Sequence, residues 1–219
     1  MLQLGGMALL KMNYLSTLES RMEELERRNR QLEAENERLR VYKDYAYTDP
    51  LTGIPNRRFY YERLLQEISR ARRGKHALTL AIVDLDLFKE INDAFGHNGG
   101  DQVLKFFAQF LRENLRQEDI VCRIGGDEFA ILLPETPANR ATVFFDRVRE
   151  KLDQMDISIA GSTRLIISFS CGLAEFRREY LPEDLIEEAD HSLYSAKASG
   201  RSRGVVAPSS PPLVSRVVH

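Results

Sequence analysis

Leucine recurs every seven residues near the start of the chain. Residues 14–47 contain neither Gly nor Pro, and the fourth position (d) of successive heptads is always leucine: Leu18, Leu25, Leu32 and Leu39. An apolar repeat of 3.5 residues held over about four heptads is typical of a coiled coil. The pattern therefore predicts that residues 1–47 form a coiled-coil dimerisation helix.

The charges beside this leucine seam favour a parallel homodimer. In a parallel, in-register pair, each g residue meets the e residue five positions later on the partner helix. Three such pairs carry opposite charges here: Arg21–Glu26, Arg28–Glu33 and Glu35–Arg40. Each pair contributes only about 0.3–0.5 kcal/mol, so the charges select an orientation rather than supply stability. Asn29 and Asn36 occupy a positions, where each pairs with its own copy only in the parallel register.

Two alternatives to a coiled-coil dimer make different demands on the sequence. A leucine-zipper DNA-binding protein needs a basic region before the zipper. Lys11 is the one basic residue among residues 1–14, so this class is excluded. A single solvated helix, held by ion pairs four residues apart, stays open.

Apolar runs and helical spacings alternate through residues 48–204. Helices are predicted over residues 56–73, 101–116, 138–155 and 183–198, and strands over 78–84, 120–124, 129–133 and 165–174. The core order βαββαβ indicates an α+β, ferredoxin-like antiparallel sheet with its helices on one face. Residues 205–219 hold three of the eight prolines and are predicted to form a flexible tail.

Composition narrows the class of protein. Hydrophobic residues make up 43% of the chain, enough for a packed core, and the net charge of −2 argues against a nucleic-acid partner. Cys122 and Cys171 stand far apart, which excludes a disulfide scaffold and a cysteine-ligated zinc site and indicates a reducing compartment. We find neither a signal peptide nor an apolar run long enough to cross a membrane. A cytoplasmic protein without a membrane segment in this chain is therefore expected.

Acidic residues cluster where predicted strands end. Asp84 closes the first strand of the sheet, and Asp127 and Glu128 lie in the turn between the next two. In a βαββ sheet these points can fall on neighbouring strands. Carboxylates that converge without His or Cys select Mg²⁺ or Mn²⁺. The alternative for either site alone is a turn or helix-capping residue.

Groups suited to a nucleotide accompany these acids. The strand-to-helix turn after Asp84 ends at Lys89, and its free N–H groups would face an anion. Lys197 and Arg201 are spaced to reach the same anion, or else they only complement the dipole of the last helix. Asn92 and Asp101 offer donors and acceptors that match a guanine edge. The alternative for Asp101 is an N-cap of the 101–116 helix.

Several strings in this chain resemble the GGDEF domain of diguanylate cyclases. The signature itself is Gly125-Gly126-Asp127-Glu128-Phe129. Four further matches follow the family order: Asp49-Pro-Leu-Thr-Gly-Ile-Pro-Asn-Arg-Arg58, Asp84-Leu-Asp-Leu-Phe-Lys-Glu-Ile-Asn-Asp93, Gly96-His97-x-x-Gly100-Asp101 and Ala196-Lys197-x-x-Gly200-Arg201. The resemblance covers residues 48–204. Ile124 stands where an aromatic residue is common, and Ser202 stands where Asn is usual.

The resemblance implies that two GTP molecules condense to cyclic di-GMP and two pyrophosphates. Asp84, Asp127, the Leu85 carbonyl and Glu128 resemble the ligands of Mg²⁺ or Mn²⁺. The implied catalytic residues are Asp127, which would activate the 3′-hydroxyl, Glu128 and Lys89. Substrate contacts are implied for Asn92, Asp101, His97, Lys197, Arg201 and the backbone at Leu87 and Phe88. Since each site holds one GTP, the coiled coil would bring two domains together.

A second motif bears on regulation. Arg116-Gln117-Glu118-Asp119 lies five residues before Gly125 and resembles the inhibitory site of the family, which binds the product cyclic di-GMP. An RxxD string is common on exposed helix ends, so a purely structural role is the alternative. Two other functions remain in view. A non-catalytic dinucleotide receptor would be favoured by loss of Asp84, Gly126, Asp127 or Lys89. A cyclase that also accepts adenine would be favoured by loss of Asp101. All five residues are present.

Overall fold

A computed structural model describes residues 2–155, 157–158 and 165–207, and the chain divides into two units between Ala46 and Tyr47. The first unit is formed by one helix, α1 (Leu2–Tyr47), which confirms the predicted helix, whereas its pairing into a coiled coil stays a prediction. Its four d leucines are between 42% and 63% exposed. No helix in the described part of the chain has the length and apolar character needed to span a membrane.

The second unit is a mixed α+β domain built on a five-stranded sheet. Its helices are α2 (Arg57–Gly74), α3 (Phe88–Asn114), α4 (Ala138–Asp153) and α5 (Pro182–Ala198). Its strands are β1 (Leu78–Leu85), β2 (Ile120–Arg123), β3 (Glu128–Pro134), β4 (Phe169–Glu175) and β5 (Gly204–Val206). The strand order is β2-β3-β1-β4-β5, with β1 central and antiparallel to both of its neighbours. The predicted βαββαβ core is therefore present.

Helices cover both faces of this sheet, so the prediction of helices on one face is wrong. One core contains Ala81 and Val83 of β1 together with residues of α3 and α4. The other contains Leu80 and Ile82 together with residues of α2 and α5. Every residue of β1 is buried, and consecutive apolar residues of this kind are typical of a strand covered on both sides.

Two elements begin well away from the predicted residues. Helix α3 begins at Phe88 rather than at residue 101, because Gly96 interrupts the helix without ending it. Strand β4 begins at Phe169, since Leu165 forms only an isolated bridge to Ile157.

The predicted tail is wrong for its first residues. Val205 and Val206 belong to β5, which pairs with β4 in parallel and makes the sheet mixed rather than antiparallel. A parallel edge strand of three residues is too short to stand out from the sequence pattern alone. The rest of the predicted tail, residues 208–219, lies outside the described residues.

Candidate active site

The acidic strand ends meet at one edge of the sheet. Strands β1 and β3 are neighbours, and their register sets Asp84 opposite Glu128. The N–H of Leu85 donates to the carbonyl of Asp127 over 3.3 Å. The backbone therefore joins the end of β1 directly to the turn between β2 and β3, which we call the signature turn (residues 124–127).

Asp84 is a buried acid with one cationic partner. It is 6% exposed, and its Oδ2 lies 2.8 Å from the Nζ of Lys197 on α5. Burial raises the pKa of Asp84, and the negative charges of Asp127 and Glu128 raise it further, against the lowering effect of Lys197. The ionised form is therefore stabilised by any additional positive charge at this point.

The donor set fits Mg²⁺ only if other ligands complete the shell. Among the residues described, no three His, Cys, Asp or Glu side chains gather closely enough to hold a metal ion. The predicted group of Asp84, Asp127 and Glu128 therefore does not converge on one point. The Glu128 carboxylate lies instead over Gly125, where an added Cβ would meet it at 2.6 Å. Mg²⁺ is commonly bound by one or two carboxylates together with water and phosphate oxygens, and Asp84 and Asp127 could supply those two carboxylates.

The turn between β1 and α3 offers free N–H groups beside Asp84. Leu87, the N-cap of α3, has φ 57° and provides no side-chain cap to the helix. Its carbonyl accepts from Glu90 N and Ile91 N, so the first hydrogen bonds within the helix are made by the N–H groups of these two residues. Phe88 begins the helix, and Lys89 is exposed in its first turn. An uncapped helix start of this kind suits an anion.

Gly100 lies next to both residues that are candidates for binding guanine, Asn92 and Asp101. The side chain of Asn92 lies against Gly100, where an added Cβ would collide with its Oδ1. Asp101 follows directly and lies inside α3, which rules out its role as an N-cap. Gly96, with φ 70° and ψ 172°, makes the kink that folds the helix at this point. His97 is exposed just after the kink.

Arg201 lies in the loop that follows α5, which we call the α5–β5 loop (residues 199–203). Gly200, Arg201 and Ser202 all have positive φ, at 111°, 61° and 48°. The N–H of Arg201 donates to the carbonyl of Ala196 over 3.2 Å, and its side chain is exposed. Lys197 and Arg201 therefore follow one another at the end of α5, with Lys197 on Asp84.

Arg123 holds the signature turn in place and was not singled out from the sequence. Its Nε and Nη2 donate to the carbonyl of Gly126 over 3.1 and 2.8 Å, and its Nη1 lies 3.0 Å from Oδ1 of Asp49. Asp49 also accepts from the N–H and hydroxyl of Thr52. Asp49 begins one of the family strings, but nothing in the pattern paired it with Arg123, which lies 74 residues away.

The RxxD motif lines a cleft of about 510 Å³. The N–H of Arg116 donates to Oδ2 of Asp119 over 2.9 Å. The other oxygen, Oδ1, is buried and accepts no hydrogen bond within the described part of the chain. Burial raises the pKa of Asp119. Arg140 and Arg147 of α4 line the same cleft, and they were missed because α4 reads from the sequence as an ordinary amphipathic helix.

Comparisons with known proteins place these features in a family. Residues 46–203 match the family described as diguanylate cyclase, GGDEF domain. Diguanylate cyclase DgcP of Pseudomonas aeruginosa is 40% identical over 190 residues, which are 87% of this chain and 28% of DgcP. Response regulator PleD of Caulobacter vibrioides is 38% identical over 161 residues, which are 73% of this chain and 36% of PleD.

A solved structure extends the likeness to most of the chain. The coiled coil and GGDEF domain of DgcB from Caulobacter crescentus, in complex with c-di-GMP, superposes with a TM-score of 0.75 at 30% identity. The match covers 84% of this chain and 99% of that one. This chain spans about a third of the length of the curated relatives that it matches. The family match covers most of its residues, and the chain therefore belongs to the GGDEF-domain diguanylate cyclase family.

Proposed function

We propose that this chain is a diguanylate cyclase that depends on Mg²⁺ or Mn²⁺ and works as a homodimer. The observation that carries the proposal is the meeting of three features at one sheet edge. These are the buried Asp84–Lys197 pair, the signature turn with Asp127, and the uncapped start of α3. The combination supplies hard oxygen ligands, an anion site and positive charge at the same edge of the sheet. Phosphoryl transfer from a nucleoside triphosphate requires these three features.

The triphosphate of GTP would bind along the start of α3. The N–H groups at Leu87 and Phe88 would donate to phosphate oxygens, and Lys89, Lys197 and Arg201 would add charge. Lys197 already offsets the charge of Asp84. Because the leaving pyrophosphate gains negative charge in the transition state, cations fixed here lower the barrier rather than only strengthen binding.

The guanine would be read by Asn92 and Asp101. Asn92 can donate and accept, and the Asp101 carboxylate accepts two N–H groups, which match the N1 and N2 donors of guanine and not the N1 lone pair of adenine. The close contact between Asn92 and Gly100 sets the amide beside Asp101. His97 is exposed next to this group and would contact the same nucleotide.

Asp84 and Asp127, with the Leu85 carbonyl, would hold the divalent cation, and Glu128 would assist from the start of β3. Bound Mg²⁺ would neutralise phosphate charge and acidify the attacking hydroxyl. Asp127 would accept the proton of the 3′-hydroxyl. Each 3′-oxygen then bonds to the α-phosphorus of the other GTP, and the bond to the pyrophosphate oxygen breaks.

Dimerisation through α1 would bring two loaded domains together. The exposed d leucines give the helix an apolar seam, and the g–e′ charges favour the parallel pairing. Replacing Leu25 and Leu32 by Glu should give monomers whose specific activity falls steeply on dilution. Light scattering, measured alongside activity at several protein concentrations, tests this. A monomeric double variant with undiminished, concentration-independent activity would overturn the dimer proposal.

Product would bind at the RxxD cleft and inhibit. The exposed Arg116 guanidinium can pair with guanine O6 and N7, and the free Oδ1 of Asp119 can accept guanine N–H groups. Arg140 and Arg147 are placed to meet the phosphates of the same dinucleotide. The proposed compartment is the bacterial cytoplasm, in keeping with two buried free cysteines.

The experiment that tests the function is identification of the product. The full chain is incubated with GTP and MgCl₂, and the products are separated by ion-exchange chromatography and identified by mass. The proposal predicts cyclic di-GMP and two pyrophosphates per molecule formed, with no product from ATP. A well-folded protein that binds cyclic di-GMP but consumes no GTP would be a receptor and would contradict the proposal.

A further inference from the structure

Asp86 is a buried acid that the site described above does not use. It lies between Asp84 and Leu87, and it is 6% exposed. Its carboxylate accepts three hydrogen bonds from groups outside its own turn. The donors are the hydroxyl of Ser168 at 3.0 Å, the hydroxyl of Ser170 at 2.7 Å and the backbone N–H of Ser202 at 3.0 Å.

The third donor belongs to the α5–β5 loop, which carries Arg201. Arg201 and Ser202 both have positive φ, a conformation that costs free energy for residues with a Cβ and persists only when surrounding contacts hold it. Two contacts hold Ser202 from opposite sides. Asp86 accepts from its N–H, and Nη1 of Arg149 donates to its carbonyl over 3.4 Å.

We propose that Asp86 is a positioning residue that fixes the α5–β5 loop, which carries Arg201, against the turn between β1 and α3. The inference rests on the proposed function, in which Arg201 and that turn bind the same triphosphate. In the proposed binding mode, Asp86 touches neither substrate nor metal. Its role is to set the distance between two anion-binding elements that are 116 positions apart along the chain.

The three donors to Asp86 differ in whether they can also act as acceptors. The hydroxyls of Ser168 and Ser170 can rotate and accept instead of donate, whereas the N–H of Ser202 can only donate. Asn at position 86 can therefore keep the Ser202 bond through its carbonyl oxygen and donate its amide to a hydroxyl. Ala cannot, so Asp86→Asn is the conservative variant and Asp86→Ala is the variant that frees the loop.

The test measures binding of a non-hydrolysable GTP analogue with Mg²⁺ by calorimetry. Asp86→Ala should raise the Kd about tenfold, in line with the loss of a well-placed charge-assisted phosphate contact, and Asp86→Asn should stay within about twofold of the parent. In an Arg201→Ala background, Asp86→Ala should add little, because both changes remove the same contact. A double variant, Ser168→Ala with Ser170→Ala, should lower the melting temperature and leave the Kd near that of the parent.

Additive losses of affinity in the Asp86→Ala, Arg201→Ala double variant would overturn the inference, as would an unchanged Kd in Asp86→Ala. If Arg201→Ala alone leaves the Kd unchanged, the proposed phosphate role of Arg201 is wrong as well. If Asp86→Ala does not fold, Arg149→Met removes the other anchor of Ser202. That variant should then raise the Kd in the parent and not in the Arg201→Ala background, and an equal rise in both would overturn the inference.

Discussion

Replacing Arg123 by Met tests whether the signature turn depends on a tether. The guanidinium makes two hydrogen bonds to the carbonyl of Gly126 and one to Asp49, and both side chains of the ion pair are largely buried, at 14% and 18% exposed. Met keeps the length and bulk of the side-chain stem. The change therefore removes the charge and the hydrogen bonds and leaves most of the packing in place.

The expected loss follows from these contacts. A hydrogen bond to a charged group is worth about 1.5–3 kcal/mol, and removing one partner of a buried ion pair costs about 3–5 kcal/mol. Asp49 keeps both contacts from Thr52 and is partly solvated, which reduces the penalty. We therefore expect the free energy of unfolding to fall by about 2–4 kcal/mol, or the melting temperature by about 5–15 °C.

The assay combines thermal melting with turnover at saturating GTP, well below the melting temperature. Because Gly126 directly precedes Asp127, loosening its carbonyl should also lower kcat by about tenfold or more. Arg73→Met is the matched control, since Arg73 is exposed and, within the described residues, its side chain bonds only to Ser69 one turn back; its effect should stay within about 0.5 kcal/mol. A less stable Arg123→Met protein with unchanged kcat would refute the positioning role.

The same tether predicts a pH dependence. Burial alone would raise the pKa of Asp49, but hydrogen bonds from Thr52 and then from Arg123 outweigh it and hold the pKa below its ordinary value. A carboxyl with a lowered pKa in the folded state contributes stability that is present at neutral pH and is lost as the pH falls below about 4. The difference in melting temperature between the parent and Asp49→Ala should therefore shrink across that range. A constant difference would show that the charge of Asp49 does not contribute.

Three other predictions concern separate parts of the domain. Asp84→Asn should abolish turnover without lowering the melting temperature, because burial raises the pKa of Asp84, so that its charge costs the folded state stability instead of adding to it; a marked loss of stability would contradict this. Gly100→Ala should weaken GTP binding about tenfold or more while the fold survives, because the added methyl displaces Asn92, and unchanged GTP affinity would contradict the contact. Arg116→Ala should leave the initial rate intact and relieve inhibition by added cyclic di-GMP, and equal inhibition of variant and parent would return the motif to a structural role.

Local patterns predicted most helices and strands because the spacing of apolar residues differs between a helix and a strand. The leucine heptads predicted α1, and the apolar run from Leu78 predicted β1. The number of covered sheet faces was predicted wrongly although a local signal was present, because β1 and β3 carry consecutive apolar residues, which favour a sheet covered on both faces. The start of α3 was missed because Gly96, Gly99 and Gly100 argue against a helix locally. Two of these glycines are buried, and tertiary packing outweighs their propensity.

The residues of the candidate site were predicted where a local string carries them and missed where a long-range contact does. Asp84, Asp127 and Lys197 belong to strings that could be recognised one at a time. The contacts that organise the site join residues far apart in sequence, as Arg123 joins Asp49 and as Asp86 joins Ser202. Such pairs leave no periodic signal in a single chain. The cleft arginines on α4 were missed for a related reason, because exposed basic residues on an amphipathic helix are usually only solvated.

Turnover of Asp127→Asn shows whether the signature turn carries the chemistry of a cyclase. Parent and variant are incubated with GTP and Mg²⁺, cyclic di-GMP is quantified, and circular dichroism and melting temperature establish that the variant is folded. A neutral amide ligates Mg²⁺ poorly and cannot take the proton of the 3′-hydroxyl. We expect cyclic di-GMP from the parent and at least about a hundredfold less from the variant, since both roles are lost together. A folded Asp127→Asn protein that makes cyclic di-GMP at nearly the parental rate would contradict this expectation.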